Sequence, residues 1–137
     1  MAKLFKFEVV TPTRVFYSDE LEMIVFDTEN GEMGVMANHV PMLIANKPCV
    51  LTMEKEKEKK YAYISEGFIE VASGKVTAIV DEAEWADEID IEKAMKDKKQ
   101  AEEELLDEKH DLQMKAQLTA SIERSASRIK TAKTFRQ

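Results

Sequence analysis

Gly67-Phe68-Ile69-Glu70-Val71-Ala72-Ser73-Gly74-Lys75-Val76-Thr77-Ala78-Ile79-Val80 is the stretch that settles the fold class. Two short apolar runs, Phe68–Val71 and Val76–Val80, flank Ala72–Lys75, where Gly74 supplies a position at which a positive φ costs little. The pattern predicts a β-hairpin. Working outward, Phe5, Phe7 and Val9 alternate with Lys6 and Glu8 until Thr11-Pro12 closes the run. Leu21–Phe26 reads as one strand, with Leu21, Met23 and Val25 on one face and Glu22, Ile24 and Phe26 on the other, followed by an Asn30-Gly31 turn. Val50–Met53 and Tyr61–Ile64 flank the charged segment Glu54–Lys60, which reads as a long hairpin tip. Short strands with turn signals every eight to twelve residues or so predict an all-β sandwich or barrel for residues 1–86.

After Trp85 the period changes. Ile91, Ala94, Met95, Ala101, Leu105 and Leu106 return at helical spacing, with Asp90 as N-cap and Glu92 placing negative charge in the first turn. A second helix is predicted from near Leu112, with a stripe of Leu112, Ala116, Thr119, Ile122, Ala126, Ile129 and Ala132 close to a 3.5-residue period. The connection Asp107–Asp111 has neither Gly nor Pro, so a turn and a continuous helix are both open to it. The chain is therefore α+β in class: an N-terminal β-sandwich, then a two-helix hairpin over residues 87–137. The stripe is thin. Ala and Thr stand where a committed core helix carries Leu or Ile, and a buried Leu or Ile contributes about 1.5–3 kcal/mol that Ala does not. Such a pair is expected to hold its partner weakly.

Charge follows the same division. Residues 81–111 carry fourteen acidic and five basic side chains, whereas residues 120–137 carry Arg124, Arg128, Lys130, Lys133 and Arg136 against Glu123 alone. Arg124 and Arg128 share a helical face. A cationic helix end is explained by the macrodipole alone; the sharper reading is a tip that docks on an acidic protein surface.

Composition removes several function classes. A formal charge of −7 with pI near 5.0 argues against general nucleic-acid binding. No apolar run approaches the roughly 18–20 residues that cross a bilayer, so direct membrane insertion is not expected. The segment Met1–Phe7 alternates charged and apolar residues without a signal-peptide core. Cys49 stands alone, which points to a reducing compartment. Its place after Pro48 and before Val50-Leu51 fits a buried residue at a strand start, not a nucleophile. His39 and His110 form no metal constellation with it, and no Gly-rich phosphate loop is present. No catalytic residue, metal ligand or cofactor is expected.

Glu29-Asn30-Gly31-Glu32-Met33-Gly34-Val35-Met36-Ala37-Asn38-His39-Val40-Pro41-Met42-Leu43 resembles the epsilon subunits of rotary F-type ATP synthases of bacterial type, whose stretch reads about Gly-Glu-Leu-Gly-hydrophobic-x-Pro-Gly-His-x-Pro-Leu-Leu. The likeness continues through Ile44–Pro48, Gly67–Val71, Val76–Val80 and Asp90–Glu104, so it covers essentially the whole chain. It implies a non-catalytic rotor subunit at the foot of the central stalk, coupling proton or sodium translocation to ATP synthesis. Implied partners are the gamma subunit and the c-ring for the sandwich, and the alpha and beta subunits for the tail. The implied location is peripheral, on the cytoplasmic face of the bacterial inner membrane. Gly31, Glu32, Gly34, His39 and Pro41 are the implied ring- and gamma-facing residues. In this family the tail folds down on the sandwich or extends along gamma, where it obstructs hydrolysis. Arg124, Arg128, Lys130 and Lys133 are then expected to contact beta.

Two departures stand out. Ala37-Asn38 replaces the family's Pro-Gly, and Asn is the residue after Gly that best tolerates a left-handed backbone. Some relatives bind ATP through Ile/Leu-Asp-x-x-Arg-Ala; here the segment reads Ile89-Asp90-Ile91-Glu92-Lys93-Ala94. Lys93 keeps the charge without the bidentate fork, so ATP binding at Asp90 and Lys93 is expected to be weak or absent. Read from residues alone, a free-standing sandwich that binds an acidic protein through its basic tail stays open beside the rotor reading.

Overall fold

A computed structural model describes residues 3–136. Ten strands are followed by a one-turn 3₁₀ helix, Ala86–Glu88, and two α-helices. The strands are β1 (Phe5–Val10), β2 (Val15–Leu21), β3 (Met23–Thr28), β4 (Gly31–Met36), β5 (Met42–Asn46), β6 (Cys49–Lys55), β7 (Glu58–Ile64), β8 (Gly67–Ala72), β9 (Lys75–Val80) and β10 (Ala83–Trp85). They form two five-stranded sheets, ordered β2-β1-β9-β8-β5 and β10-β7-β6-β3-β4. All pairs are antiparallel except β1 with β9.

The core lies between the sheets. Phe7, Val9, Ile69 and Ala78 from one sheet meet Ile24, Phe26, Val35 and Leu51 from the other, all fully buried. The alternation Phe5-Lys6-Phe7-Glu8-Val9 puts its aromatic and Val positions inward, as a period of two requires. Cys49 is buried at the start of β6, as expected, and burial pushes its thiol up to about 12. The hairpin β8–β9 turns at Gly74 with φ +75°.

Two strand expectations need correction. Leu21–Phe26 is not one strand: β2 ends at Leu21 in one sheet and β3 begins at Met23 in the other, with a bend at Glu22 between them. Leu21 and Ile24 are therefore both in the core, where strict alternation would have placed them on opposite faces. The charged segment Glu54–Lys60 is not a long tip either. β6 and β7 run to Lys55 and from Glu58, joined by a two-residue turn, Glu56-Lys57, with φ +52° and +70°. Apart from Glu56 and Lys57, the charges of this segment sit on strand positions.

The tail consists of α1 (Ile91–Leu105) and α2 (Leu112–Phe135). Asp90 caps α1 by accepting from the Lys93 N–H at 3.0 Å, and Asp111 caps α2 by accepting from the Met114 N–H at 2.8 Å. The two helices pack on each other, and α2 also packs across β6 and β7. Its buried positions include Leu118, Ser125 and Ala132, with Lys115, Ile122 and Ile129 half-covered between them. The seam is therefore 115-118-122-125-129-132, spaced by three and four in turn. The expected stripe is right at Ile122, Ala126, Ile129 and Ala132 and wrong at Leu112, Ala116 and Thr119, which are exposed. Ser125 is small and polar, which a search for apolar residues passes over, and the buried residue of the first turns is Leu118, one position from the expected Thr119. On α1, Ala94 and Ala101 are buried, while Met95 and Leu106 are exposed at 53% and 81%.

Candidate functional site

The tail's attachment to the sandwich is built mainly from polar groups on small apolar ground. Ala132 packs with Tyr63 and Ile89, with Ile91 alongside. One turn away, Ser127 Oγ donates to the Pro48 carbonyl at 2.9 Å. Arg124 forks onto Glu66, Nε to Oε1 at 2.9 Å and Nη2 to Oε2 at 3.0 Å. Arg128 bridges two acids, Nε to Glu84 Oε1 at 2.6 Å and Nη2 to Glu82 Oε1 at 2.8 Å. Its guanidinium also lies 4.5 Å above the Tyr63 ring, and the Tyr63 hydroxyl donates to Glu82 Oε1 at 3.0 Å. Bidentate, charge-assisted bonds of this kind are the stronger members of their class.

The sandwich holds these acids in place. Ser65, almost fully buried, accepts at Oγ from the N–H groups of Asp81 (3.1 Å) and Glu82 (3.0 Å), and its own N–H donates to the Glu82 carbonyl at 3.0 Å. Asn46 ties the other side by donating to the Ser65 carbonyl at 3.0 Å. Gly67 follows Glu66 because nothing larger fits: a Cβ there would stand 2.1 Å from the Ile79 carbonyl oxygen. Electrostatics match the geometry. The bond from Arg124 holds the Glu66 carboxyl below its ordinary range, and Glu66 raises Arg124 in turn. Burial works against the charge on Arg128, but Glu84, Tyr63 and Glu82 together raise it. Burial drives the Tyr63 hydroxyl upward, so it stays a donor.

Of the four tail cations singled out in the sequence, Arg124 and Arg128 are thus engaged by the sandwich, while Lys130 and Lys133 are exposed. Glu66, Glu82, Glu84 and Tyr63 had no signal of their own in the sequence. Abundant acids hide which three converge, since Glu66 is brought to the others by strand pairing.

Asp90 and Lys93 line one open hollow of about 270 Å³ together with Glu82, Glu84, Asp97 and Arg128. Both have local partners already, Asp90 as helix cap and Lys93 in an ion pair with Asp97 at 3.6 Å. Four carboxylates face two cations there.

The expected ring-facing residues are spread along β4, the edge strand of its sheet. Gly31 takes φ +109° at the β3–β4 turn, its carbonyl accepting from the Thr28 hydroxyl at 2.9 Å. Glu32 and Gly34 follow on the strand opposite Asp27 and Val25. His39 and Pro41 lie beyond its far end, with about 13 Å of strand between Glu32 and Met36. Glu32 and His39 are thus not brought together. Asn38 does adopt the left-handed backbone, φ +70°, and the His39 N–H closes the loop on the Met36 carbonyl at 3.3 Å. On either side of His39 in the chain, Met36, Val40, Met42 and Leu43 are exposed apolar residues. His110 is half-buried in the connection between the helices.

The two outer faces of the sandwich differ. One carries α2. On the other, Val15, Val10, Ile79, Phe68 and Ala45 are successive cross-strand partners across all five strands. Val15, Ile79 and Phe68 are 54%, 48% and 50% exposed.

Residues 4–86 match the family model described as the ATP synthase delta/epsilon chain beta-sandwich domain. The chain is similar to the ATP synthase epsilon chain of Caldanaerobacter subterraneus subsp. tengcongensis, with 36% identity over 138 residues covering 100% of this chain and 99% of that one. It is 40% identical to the epsilon chain of Alkaliphilus oremlandii over 105 residues, 77% and 78% of the two chains. Among solved structures it resembles a chain of the Euglena gracilis mitochondrial ATP synthase, with TM-score 0.78 and 26% identity over 90% of this chain and 78% of that one. A chain from the Tetrahymena thermophila ATP synthase central stalk and c-ring shares the fold, with TM-score 0.62 at 11% identity. The sandwich match and relatives that run the length of both segments lead to one conclusion: this chain belongs to the epsilon-chain family of ATP synthases.

Proposed function

We propose that the chain works as a non-catalytic rotor subunit of an ATP synthase central stalk, with its sandwich as the docking body and its tail as a regulator of ATP hydrolysis. The observation that carries the docking role is the uncovered apolar row from Val15 to Ala45, which crosses a whole sheet and is wider than the scattered apolar residues of an ordinary surface. Its partner is the gamma subunit. The edge strand β4 and the loop beyond it, with Gly31, Glu32, Gly34, His39 and Pro41, face gamma and the c-ring. The exposed Met36, Val40 and Leu43 supply apolar contact there. No helix among the described residues is long and apolar enough to cross a membrane. Membrane attachment is therefore through the complex, at the cytoplasmic face of the inner membrane.

The tail's role rests on how it is held. In a continuous helix through Asp107–Asp111, Ala101, Leu105, Leu112, Thr119, Ile122, Ala126 and Ile129 fall on one side at a mean period near 3.5 residues. In the folded hairpin that seam is split and Leu112 is 85% exposed. The extended form thus has an apolar surface to offer a helical partner such as gamma. Arg124, Arg128, Lys130 and Lys133 then meet acidic surfaces of the alpha and beta subunits.

The test is to add the purified chain to a gamma-containing catalytic head lacking epsilon and to measure binding and ATP hydrolysis together. Stoichiometric binding with reduced hydrolysis is expected, and removal of residues 111–137 should abolish the reduction while binding persists. No binding to a matched gamma would leave the adaptor reading in its place.

A further inference from the structure

The guanidinium groups assigned to an external acidic surface are already bonded to carboxylates of the chain's own sandwich. Arg124 uses both sides of its fork on Glu66, and Arg128 divides its fork between Glu82 and Glu84. The Nε and Nη2 donors of both groups are taken, so an outside carboxylate that needs that edge must displace the sandwich's own. The rest of the attachment includes Ala132 against Tyr63 and Ile89, and a hydroxyl bond from Ser127 to Pro48.

We infer that Glu66, Glu82 and Glu84 form an internal latch whose grip on Arg124 and Arg128 sets how readily the tail engages its partner. Tail release is then an exchange of carboxylates: the sandwich's three acids on one side, an acidic protein surface on the other. This rests on the reading of the tail as a regulator, and it adds which residues oppose that action. It also makes a signed distinction. Removing the acids frees the tail with its cations intact, whereas removing the arginines frees a tail that has lost them.

Hydrogen–deuterium exchange on the full chain reads the latch directly, and hydrolysis by the gamma-containing head reads the exchange. In Glu82→Gln/Glu84→Gln and in Arg124→Gln/Arg128→Gln, amides of α2 should exchange on the order of tenfold faster, the scale of losing a charge-assisted bond. The amides of β1 and β9, away from the tail, should keep their protection, which separates release from unfolding. Glu66→Gln alone is the milder variant should the double one perturb the sandwich. The carboxylate variants should then inhibit hydrolysis severalfold more strongly than the unaltered chain, and the arginine variants less. Unchanged α2 exchange in the carboxylate variants would overturn the latch. Faster exchange with both classes shifting hydrolysis in the same direction would overturn the exchange of partners. If α2 is released but no form inhibits, the regulatory reading fails and the exchange with it, while the internal latch stands.

Discussion

Arg128 and Tyr63 converge on a single atom: both donate to Glu82 Oε1, at 2.8 and 3.0 Å, while the guanidinium lies 4.5 Å above the phenol ring. The ring is fully buried, so the arginine is its lid on the tail side. Two contributions can be separated here. Tyr63→Phe removes the hydroxyl bond but keeps the ring face, and should lower stability by about 1 kcal/mol. Tyr63→Leu also removes the face, costing about 1 kcal/mol more through the lost cation–π contact. Chemical denaturation of the two variants checks the order; equal losses would mean that the stacking contributes nothing.

Glu66 gives the attachment a pH dependence of definite sign. Its docked carboxyl is held below its ordinary value by Arg124. A depressed acid contributes stability that is complete above its free value and is lost as pH falls through its docked one. With free glutamate near 4.3, this contribution should be constant between about pH 6 and 8 and should fade only below about pH 4. Exchange of α2 amides, corrected for the intrinsic pH effect, measures this. A release near neutral pH would assign the control to some other group.

The β6–β7 turn stores strain that can be relieved. Glu56 and Lys57 both have positive φ, where a side chain is disfavoured and Asn-Gly is the preferred pair. Glu56→Asn/Lys57→Gly should raise stability by about 1–2 kcal/mol. The Glu56 N–H that donates to Glu22 Oε1 at 3.0 Å is a backbone group and survives the change. A midpoint unchanged or lowered in urea would show that the strain is balanced in the unfolded chain.

These cases also show what the sequence could tell. Strands with a clear period of two, such as Phe5–Val9, and hairpins marked by glycine, such as Ser73-Gly74, were legible because burial and backbone freedom both leave traces in residue type. β2, β4 and β5 were not, since Val15–Leu21 is half polar and Gly31–Met36 holds two glycines. The switch of sheets at Glu22 leaves no local mark at all. In the tail, the existence of both helices and the Asp90 cap were plain, and the second half of the α2 stripe was right; its first half was not, since the buried residue there is Leu118 and not Thr119, and Ser125 is polar. The arginines could be seen as a pair. Their acids could not, because Glu66 and Glu84 are brought to one helix face only by the pairing of β7 with β10 and by the turn after Ile64.

Gly67 is the position where space alone decides. A Cβ would stand 2.1 Å from the Ile79 carbonyl oxygen and 3.0 Å from Val80 Cγ1, so backbone must move. Gly67→Ala should cost about 3 kcal/mol, at the upper end for overpacking. Because Glu66 precedes it, the variant should also release α2 before the sandwich unfolds. Exchange rates by segment would show this; simultaneous loss in β8 and α2 would make Gly67 purely a core residue.

The hollow beside Asp90 and Lys93 predicts the outcome with nucleotide. Its cations are already occupied, Lys93 by Asp97 and Arg128 by Glu82 and Glu84, and Asp90 is committed to its cap. A triphosphate entering there would meet an excess of negative charge on the walls. Ligand stabilisation grows as the logarithm of concentration over Kd, so a shift in melting temperature appears only once ATP exceeds its Kd. With millimolar ATP, no shift is expected for the unaltered chain. Lys93→Arg restores a fork but not a free one, since Asp97 remains four residues on, and should not suffice alone. Adding Glu82→Gln/Glu84→Gln frees Arg128 and removes two charges, and this combination should gain a measurable shift and a calorimetric signal. Binding by Lys93→Arg alone would show that the fork at position 93, and not the charge of the walls, is what excludes nucleotide.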